Sequence, residues 1–350
     1  MALLEVDGPP GPPWRRPLAG TLDELVVESE LLAANVRGDP SRRPLYVYRA
    51  PGVGDRAVPS IYLLQGFTGQ LDMWFARDAF EPTNVERYDA LFATGQTPPA
   101  ILVFVDAWTS LGGSQFLNSP GTGPYMDYLC DEVVTFVDAR YPTIAAPEGR
   151  GVAGKSSGGY GAMVTAMLRP DRFGALASHA GDALFEASYL PRFPHVTRML
   201  RDHFDSSYEV FHRRLREAPQ FDFSRFGEPL EMYAYAAAYS PDPSDPGGPP
   251  LLPFEIGTGR LVDEVWNRWL EHDPVRMVEA HAQALRSMRR IYLDAGRSDE
   301  AFLDLGAQAV SAALRRHAIE HTLELFEGRH GGISHRYPRA IGALVRALAR

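Results

Sequence analysis

The sequence predicts an α/β protein: a mostly parallel central sheet flanked by helices, opened by an antiparallel hairpin and interrupted late by a helical insertion. Three observations carry this. Short apolar runs such as Ile101-Leu102-Val103-Phe104-Val105 are continuous rather than alternating, which marks strands covered on both faces. Strand-like and helix-like stretches take turns along the chain, as crossover connections require. A glycine-rich turn at residues 151–161 joins an apolar strand directly to an apolar helix. At 350 residues and 45% hydrophobic content the chain has ample material for one large core.

The elements follow in order. Residues 1–20 hold Pro9, Pro10, Pro12, Pro13 and Pro17 and read as a flexible lead-in; the domain is expected to span 21–350. Residues 22–35 and 44–50 are strand-like, and Gly38-Asp39-Pro40-Ser41 between them signals a turn, so they form the opening hairpin. Residues 58–65 and 100–106 are buried strands. Residues 125–141 have apolar positions at helical spacing. Residues 149–153 are a strand, 161–168 a helix stopping before Pro170, and 175–179 another strand. From 185 to 284 the strand rhythm lapses into helical pieces, clustered aromatics and a proline-rich loop at 241–250, read as a cap-like insertion. Its aromatics form either its own small core or an acyl or aryl pocket. Strands at 290–293 and 321–326 enclose a helix at 301–317, and a closing helix starts near Pro338.

Chemistry concentrates at the turn. Gly154-x-Ser156-x-Gly158 is the pattern of a nucleophile elbow, in which a serine hydroxyl is held out at a strained strand-to-helix turn. Small residues on either side make such a turn possible. Ser156 is therefore the candidate nucleophile. The loop Gly66-Phe67-Thr68-Gly69, after the strand at 58–65, stands where backbone N–H groups would meet the oxyanion of a tetrahedral intermediate. The candidate donors are the N–H of Phe67, with Thr68 as an alternative, and the N–H of Ser157. Lys155, Thr68 and Trp108 are candidate substrate contacts; Trp108, beyond the carboxyl end of its strand, reads equally as core.

A triad also needs an acid and a base. Asp299 follows Gly296-Arg297-Ser298 after the strand at 290–293, where a carboxylate orients the imidazole. Asp182, Asp294 and Glu300 are rivals, and Asp299 also reads as a plain helix cap. His330 stands in Gly328-Arg329-His330-Gly331-Gly332 after the last strand and is the candidate base; His335 is the alternative, and His179 reads as a packed histidine. His330 and His335 lack companion ligands, so no metal is expected, and no organic cofactor is needed.

The order Ser156, Asp299, His330 is that of α/β-hydrolases. On Leu63-Leu64-Gln65-Gly66-Phe67-Thr68-Gly69, Gly154-Lys155-Ser156-Ser157-Gly158-Gly159-Tyr160-Gly161-Ala162, Gly296-Arg297-Ser298-Asp299-Glu300 and Gly328-Arg329-His330-Gly331, the chain resembles the putative-esterase family. That family includes esterase D, enterochelin-esterase-like proteins, some feruloyl and acetylxylan esterases, and the mycolyltransferases. The resemblance runs from about residue 60 to 346 and implies an α/β-hydrolase fold, a Ser-His-Asp triad and a serine carboxylesterase acting through an acyl-enzyme. An acyltransferase with the same triad is the alternative, and a non-catalytic binding protein of this fold a second. Lys155 stands where the family often has histidine. The insertion is longer than in the esterase D type, so that substrate does not transfer.

Net charge is −9, and no basic stripe is present, which speaks against nucleic acid. Cys130 is alone, so no intramolecular disulfide forms. No stretch reads as a signal peptide or a membrane span, and a cytoplasmic enzyme with a small-molecule ester substrate is expected. The oligomeric state stays open, a homo-oligomer included.

Overall fold

Eight strands form one sheet in the spatial order β1-β2-β4-β3-β5-β6-β7-β8. They are β1 (Thr21–Glu28), β2 (Arg42–Arg49), β3 (Ser60–Leu64), β4 (Ile101–Val105), β5 (Arg150–Lys155), β6 (Ala175–His179), β7 (Arg290–Gly296) and β8 (Thr322–Phe326). This is a computed structural model, and it describes residues 17–78 and 80–350. Most of the proline-rich lead-in lies outside those residues. Within them, the Ala19 and Gly20 N–H groups donate to the Asp89 carboxylate at 3.0 and 2.8 Å, and the Tyr48 hydroxyl donates to it at 2.8 Å.

β1 and β2 pair antiparallel, as do β2 and β4; all pairings from β4 through β3 to β8 are parallel. The side-chain pattern follows from position. β3 and β4 lie inside the sheet and are buried at every residue, whereas edge strand β8 is half-buried throughout. One sheet face is covered by helices Asn84–Ala93 and Tyr337–Leu348, which pack Tyr88, Phe92, Ile341 and Leu344 against Ile61, Leu63, Leu102 and Phe104. The other face carries the helical stretch 125–138, helix Ser157–Leu168 and helix Leu303–Arg316.

Several boundaries differ from expectation, each for a local reason. The opening hairpin is not closed by a tight turn at Gly38. β1 ends at Glu28, because the Glu132 carboxylate takes the N–H groups of Glu30 and Leu31 at 2.8 and 3.0 Å and the Ser29 hydroxyl, pulling the chain out of the sheet. The helix at 84–93 was not foreseen, although Thr83 and Glu86 form a complete capping box at its start. The helix after Ser156 begins at once at Ser157 rather than at Gly161.

Between β6 and β7 the chain adds no strand to the sheet. It forms helices that include Phe193–Phe204, Tyr208–Glu217, Glu228–Tyr239 and Asp263–Glu271. Their buried aromatics are continuous with the core of the second sheet face rather than separate from it: Tyr189, Tyr239 and Trp269 pack with Tyr160 and Phe185.

Candidate active site

The elbow is built by close backbone approach. Ser156 has φ 57° and ψ −126°, a strained conformation for a residue with a side chain. A Cβ on Gly154 would lie 2.4 Å from the Gly158 carbonyl, and one on Gly158 would lie 2.3 Å from Leu64 O and 2.7 Å from Gln65 O. Both glycines are thus required by space. The turn is tied to the sheet by the Ser156 N–H, which donates to His179 O at 3.0 Å.

β7, β8 and the loops after them bring the partners over. His330 Nε2 lies 3.2 Å from Ser156 Oγ, and His330 Nδ1 lies 2.8 Å from Asp299 Oδ2. The Asp299 side chain is fully buried, and its Oδ1 accepts the Ala301 N–H at 2.9 Å. The two loops run against each other: a Cβ on Gly296 would meet Gly328 O at 2.5 Å. The Arg297 N–H donates to Phe326 O at 2.8 Å, and the Ser298 N–H donates to Gly328 O at 2.9 Å. The His330 N–H donates to Glu300 Oε2 at 2.9 Å, and Arg329 also binds that carboxylate. These contacts, the one from His330 first, pull the Glu300 carboxyl down to about 2.

The rival acids sit elsewhere in the network. Asp294 is wholly buried, 2.7 Å from His179 Nδ1, with the Arg336 guanidinium donating to it at 3.0 Å. Burial opposes its charge, yet His179 and Arg336 hold its carboxyl below the usual range. His179 also packs on the Tyr337 ring at 4.3 Å. His335 is exposed and bonds Gly332 O at 3.2 Å.

In the loop after β3, the Thr68 N–H is already donated to Gly112 O at 2.8 Å, which removes Thr68 as an oxyanion donor. The N–H groups of Phe67 and Ser157 have no such acceptor among the described residues. Gln65 clamps the loop by donating to Gly69 O at 2.6 Å. A cleft of about 660 Å³ opens over Ser156, with Gly66, Phe67, Lys155 and His330 on its lining. Thr68 and Trp108 are not on that lining: Thr68 faces solvent, and the Trp108 carbonyl is engaged by Arg43 at 2.9 Å. Lys155 is half-buried; desolvation lowers its ammonium, against the opposing pull of Asp299, Glu300 and Asp182.

The cleft's far wall comes from Tyr189, Arg192, Glu231 and Tyr235; Tyr235 belongs to the clustered aromatics of the insertion that the sequence offers as a pocket, and the other three carry no such signal. Arg192 pairs with Glu231, and the Tyr235 hydroxyl donates to the same carboxylate at 2.6 Å. Asp182 lies between this wall and the elbow. Burial, then the Glu231 charge, pushes its carboxyl up to about 6, against hydrogen bonds from Tyr189 and Gln115. No sequence signal pairs Arg192 with Glu231, 39 positions apart.

The chain matches the family model described as putative esterase over residues 41–338. It belongs to that family. Its structure resembles a ferulic acid esterase (TM-score 0.58, 18% identity, covering 95% of this chain and 98% of the other). It likewise resembles an S-formylglutathione hydrolase from Agrobacterium tumefaciens (0.56, 15%, 95% and 98%) and MPT51 from Mycobacterium tuberculosis (0.52, 15%, 94% and 98%). At these identities the likenesses establish the α/β-hydrolase fold. No curated protein sequence matches the chain. As a putative-esterase family member it is an ester-hydrolysing enzyme. Among the described residues, no helix is long and apolar enough to cross a membrane.

Proposed function

We propose that this enzyme is a carboxylesterase working through an acyl-enzyme on Ser156, with His330 as base and Asp299 as its orienting acid. The observation that carries the reading is the unbroken chain of contacts from Ser156 Oγ to His330 Nε2 (3.2 Å) and from His330 Nδ1 to Asp299 Oδ2 (2.8 Å), at an elbow strained to φ 57°. His330 takes the Ser156 proton as Oγ attacks the ester carbonyl. The Phe67 and Ser157 N–H groups receive the oxyanion, each worth about 3 kcal/mol. The alcohol leaves with the proton from His330, and water, activated by the same imidazole, releases the acid. The Asp299 carboxylate holds Nδ1–H, so that Nε2 is free to accept. Lys155 is the proposed polar contact to substrate on the cleft floor. The substrate is a small-molecule ester, and the setting we propose is the cytoplasm.

The test is hydrolysis of p-nitrophenyl esters of increasing acyl length by wild type and Ser156→Ala. Turnover that collapses in the variant is expected. Equal rates in both would refute the nucleophile assignment, and fractionation finding the enzyme outside the cytoplasm would refute its placement.

A further inference from the structure

Asp182 follows β6 and is 2% exposed, yet it lines the cleft that opens over Ser156. All its hydrogen bonds fall on one oxygen. The hydroxyl of Tyr189 at 2.9 Å and the Gln115 side-chain amide at 3.2 Å donate to Oδ2, and the Tyr235 hydroxyl, whose proton goes to Glu231, lies 3.4 Å from the same oxygen. Oδ1 accepts nothing from the described residues. Unlike Ser157 Oγ and Tyr160 Oη it is not fully enclosed, and Asp182 lines the cleft. A buried carboxylate with one oxygen committed to two donors and the other bare is costly unless something supplies a donor.

We propose that Asp182 Oδ1 is a specificity-determining acceptor for a hydroxyl group on the ester substrate, held against the stacked rings of Tyr189 and Tyr235. This rests on the esterase reading above. Those rings stand 4.6 Å apart, and both residues line the cleft, giving a flat wall beside the free oxygen. Charge selects a neutral donor over an ammonium group. Arg192 pairs with the nearby Glu231, whose charge still reaches Asp182, while Lys155 and His330 act on Asp182 in the opposite sense. A cationic substrate group at Oδ1 would face the Lys155 ammonium and the imidazolium that forms on His330 during turnover. A hydroxyl meets neither penalty, and an analogue lacking it would leave Oδ1 unpaired.

The test compares kcat/KM on methyl esters with and without one hydroxyl: 3-hydroxybutanoate against butanoate, 4-hydroxyphenylacetate against phenylacetate, and 3-(4-hydroxyphenyl)propanoate against 3-phenylpropanoate. Wild type is expected to prefer the hydroxylated member of at least one pair by about tenfold or more. Asp182→Asn keeps an oxygen for Tyr189 and Gln115 and turns an NH₂ to the cleft, so the preference should fall to about threefold or less. Each ratio is taken within one preparation, so poor folding of the variant does not distort it, and the wild-type ratio needs no variant. No preference in any pair, or a preference that Asp182→Asn leaves intact, overturns the assignment. Calorimetric binding of the same pairs to Ser156→Ala and Ser156→Ala/Asp182→Asn separates the two readings. Asp182-dependent discrimination without wild-type turnover upholds this site and refutes the esterase reading; turnover without discrimination does the reverse.

Discussion

Asp299→Asn tests the acid assignment most sharply, because the structure offers a second buried carboxylate as its control. Asp299 Oδ1 accepts the Ala301 N–H and Oδ2 faces His330 Nδ1 at 2.8 Å. In the asparagine variant the oxygen stays with the Ala301 N–H, and the amide NH₂ faces Nδ1. The imidazole must then present a bare Nδ1 and carry its proton on Nε2, the nitrogen 3.2 Å from Ser156 Oγ. It can no longer accept the serine proton. A wrong tautomer at this position costs on the order of 10⁴ in kcat, or about 5.5 kcal/mol of transition-state stabilisation. Asparagine is nearly isosteric with aspartate and the Ala301 contact survives, so the melting temperature should move little. Asp294→Asn should do the opposite. It removes the charge that His179 and Arg336 share, though Arg336 keeps its pair with Glu324, so stability should fall by about 1 to 3 kcal/mol while the folded fraction keeps most of its kcat. The assay is burst-titrated kcat on p-nitrophenyl acetate beside thermal unfolding of both variants. A loss below tenfold in Asp299→Asn, or a larger kcat loss in Asp294→Asn, would refute the assignment.

Three further outcomes follow from the same geometry. Gly158→Ala forces a Cβ to 2.3 Å from Leu64 O, a backbone atom inside the sheet that cannot yield, and should destabilise by about 3 kcal/mol or prevent folding; an unchanged melting curve would contradict the tight elbow. Arg192→Met should destabilise by about 2 to 4 kcal/mol, since it strands Glu231 beside Asp182, and Arg192→Met/Glu231→Met should recover most of that in denaturant unfolding; no recovery would mean the pair is not the reason. Asp182 gives a pH signature: its folded pKa of about 6 lies above the ordinary 3.8, so the folded state holds the proton longer and the unfolded state ionises first. Wild-type stability relative to Asp182→Asn should therefore be greatest below about pH 4 and decline by up to about 3 kcal/mol as pH rises through 6; a difference flat from pH 4 to 7 would sink this account.

The parts of the molecule legible in the sequence are those where one residue type is dictated by local geometry. Gly154 and Gly158 are legible because a Cβ at either collides with backbone, and only glycine answers that. The continuous apolar runs of β3 and β4 are legible because burial on both faces leaves no polar position. Asp299 and His330 could be picked out because each follows a glycine turn at a strand's carboxyl end. Side chains set by distant partners were not legible. β1 stops at Glu28 because of Glu132, more than one hundred positions away, and nothing near residue 29 announces it. Trp108 reads equally as pocket floor and core from its place after β4; it is not on the cleft's lining, and Arg43 donates to its carbonyl.

Asp182 shows why most of the far wall is not legible in the sequence while the elbow is. As a sequence feature, Ala180-Gly181-Asp182 at the end of β6 is one more carboxylate after a strand and competes with Asp299 for the same role. Only packing separates them. Asp299 reaches an imidazole, whereas Asp182 reaches Tyr189, Gln115 and Tyr235, drawn from three segments between positions 115 and 235. The proposed triad is local to three loops at the carboxyl edge of one sheet, so a short motif encodes each member. The pocket wall is assembled across the insertion and the core, so no single motif encodes it. Substitutions in the insertion are therefore expected to retune substrate choice while the elbow chemistry persists. Exchanging Tyr189 for phenylalanine removes a donor from Asp182 Oδ2, and exchanging Tyr235 removes one from Glu231, neither touching Ser156, His330 or Asp299. Such variants should still react with a fluorophosphonate at Ser156 while shifting the preference among acyl groups; loss of labelling together with activity would place these tyrosines in the chemistry instead.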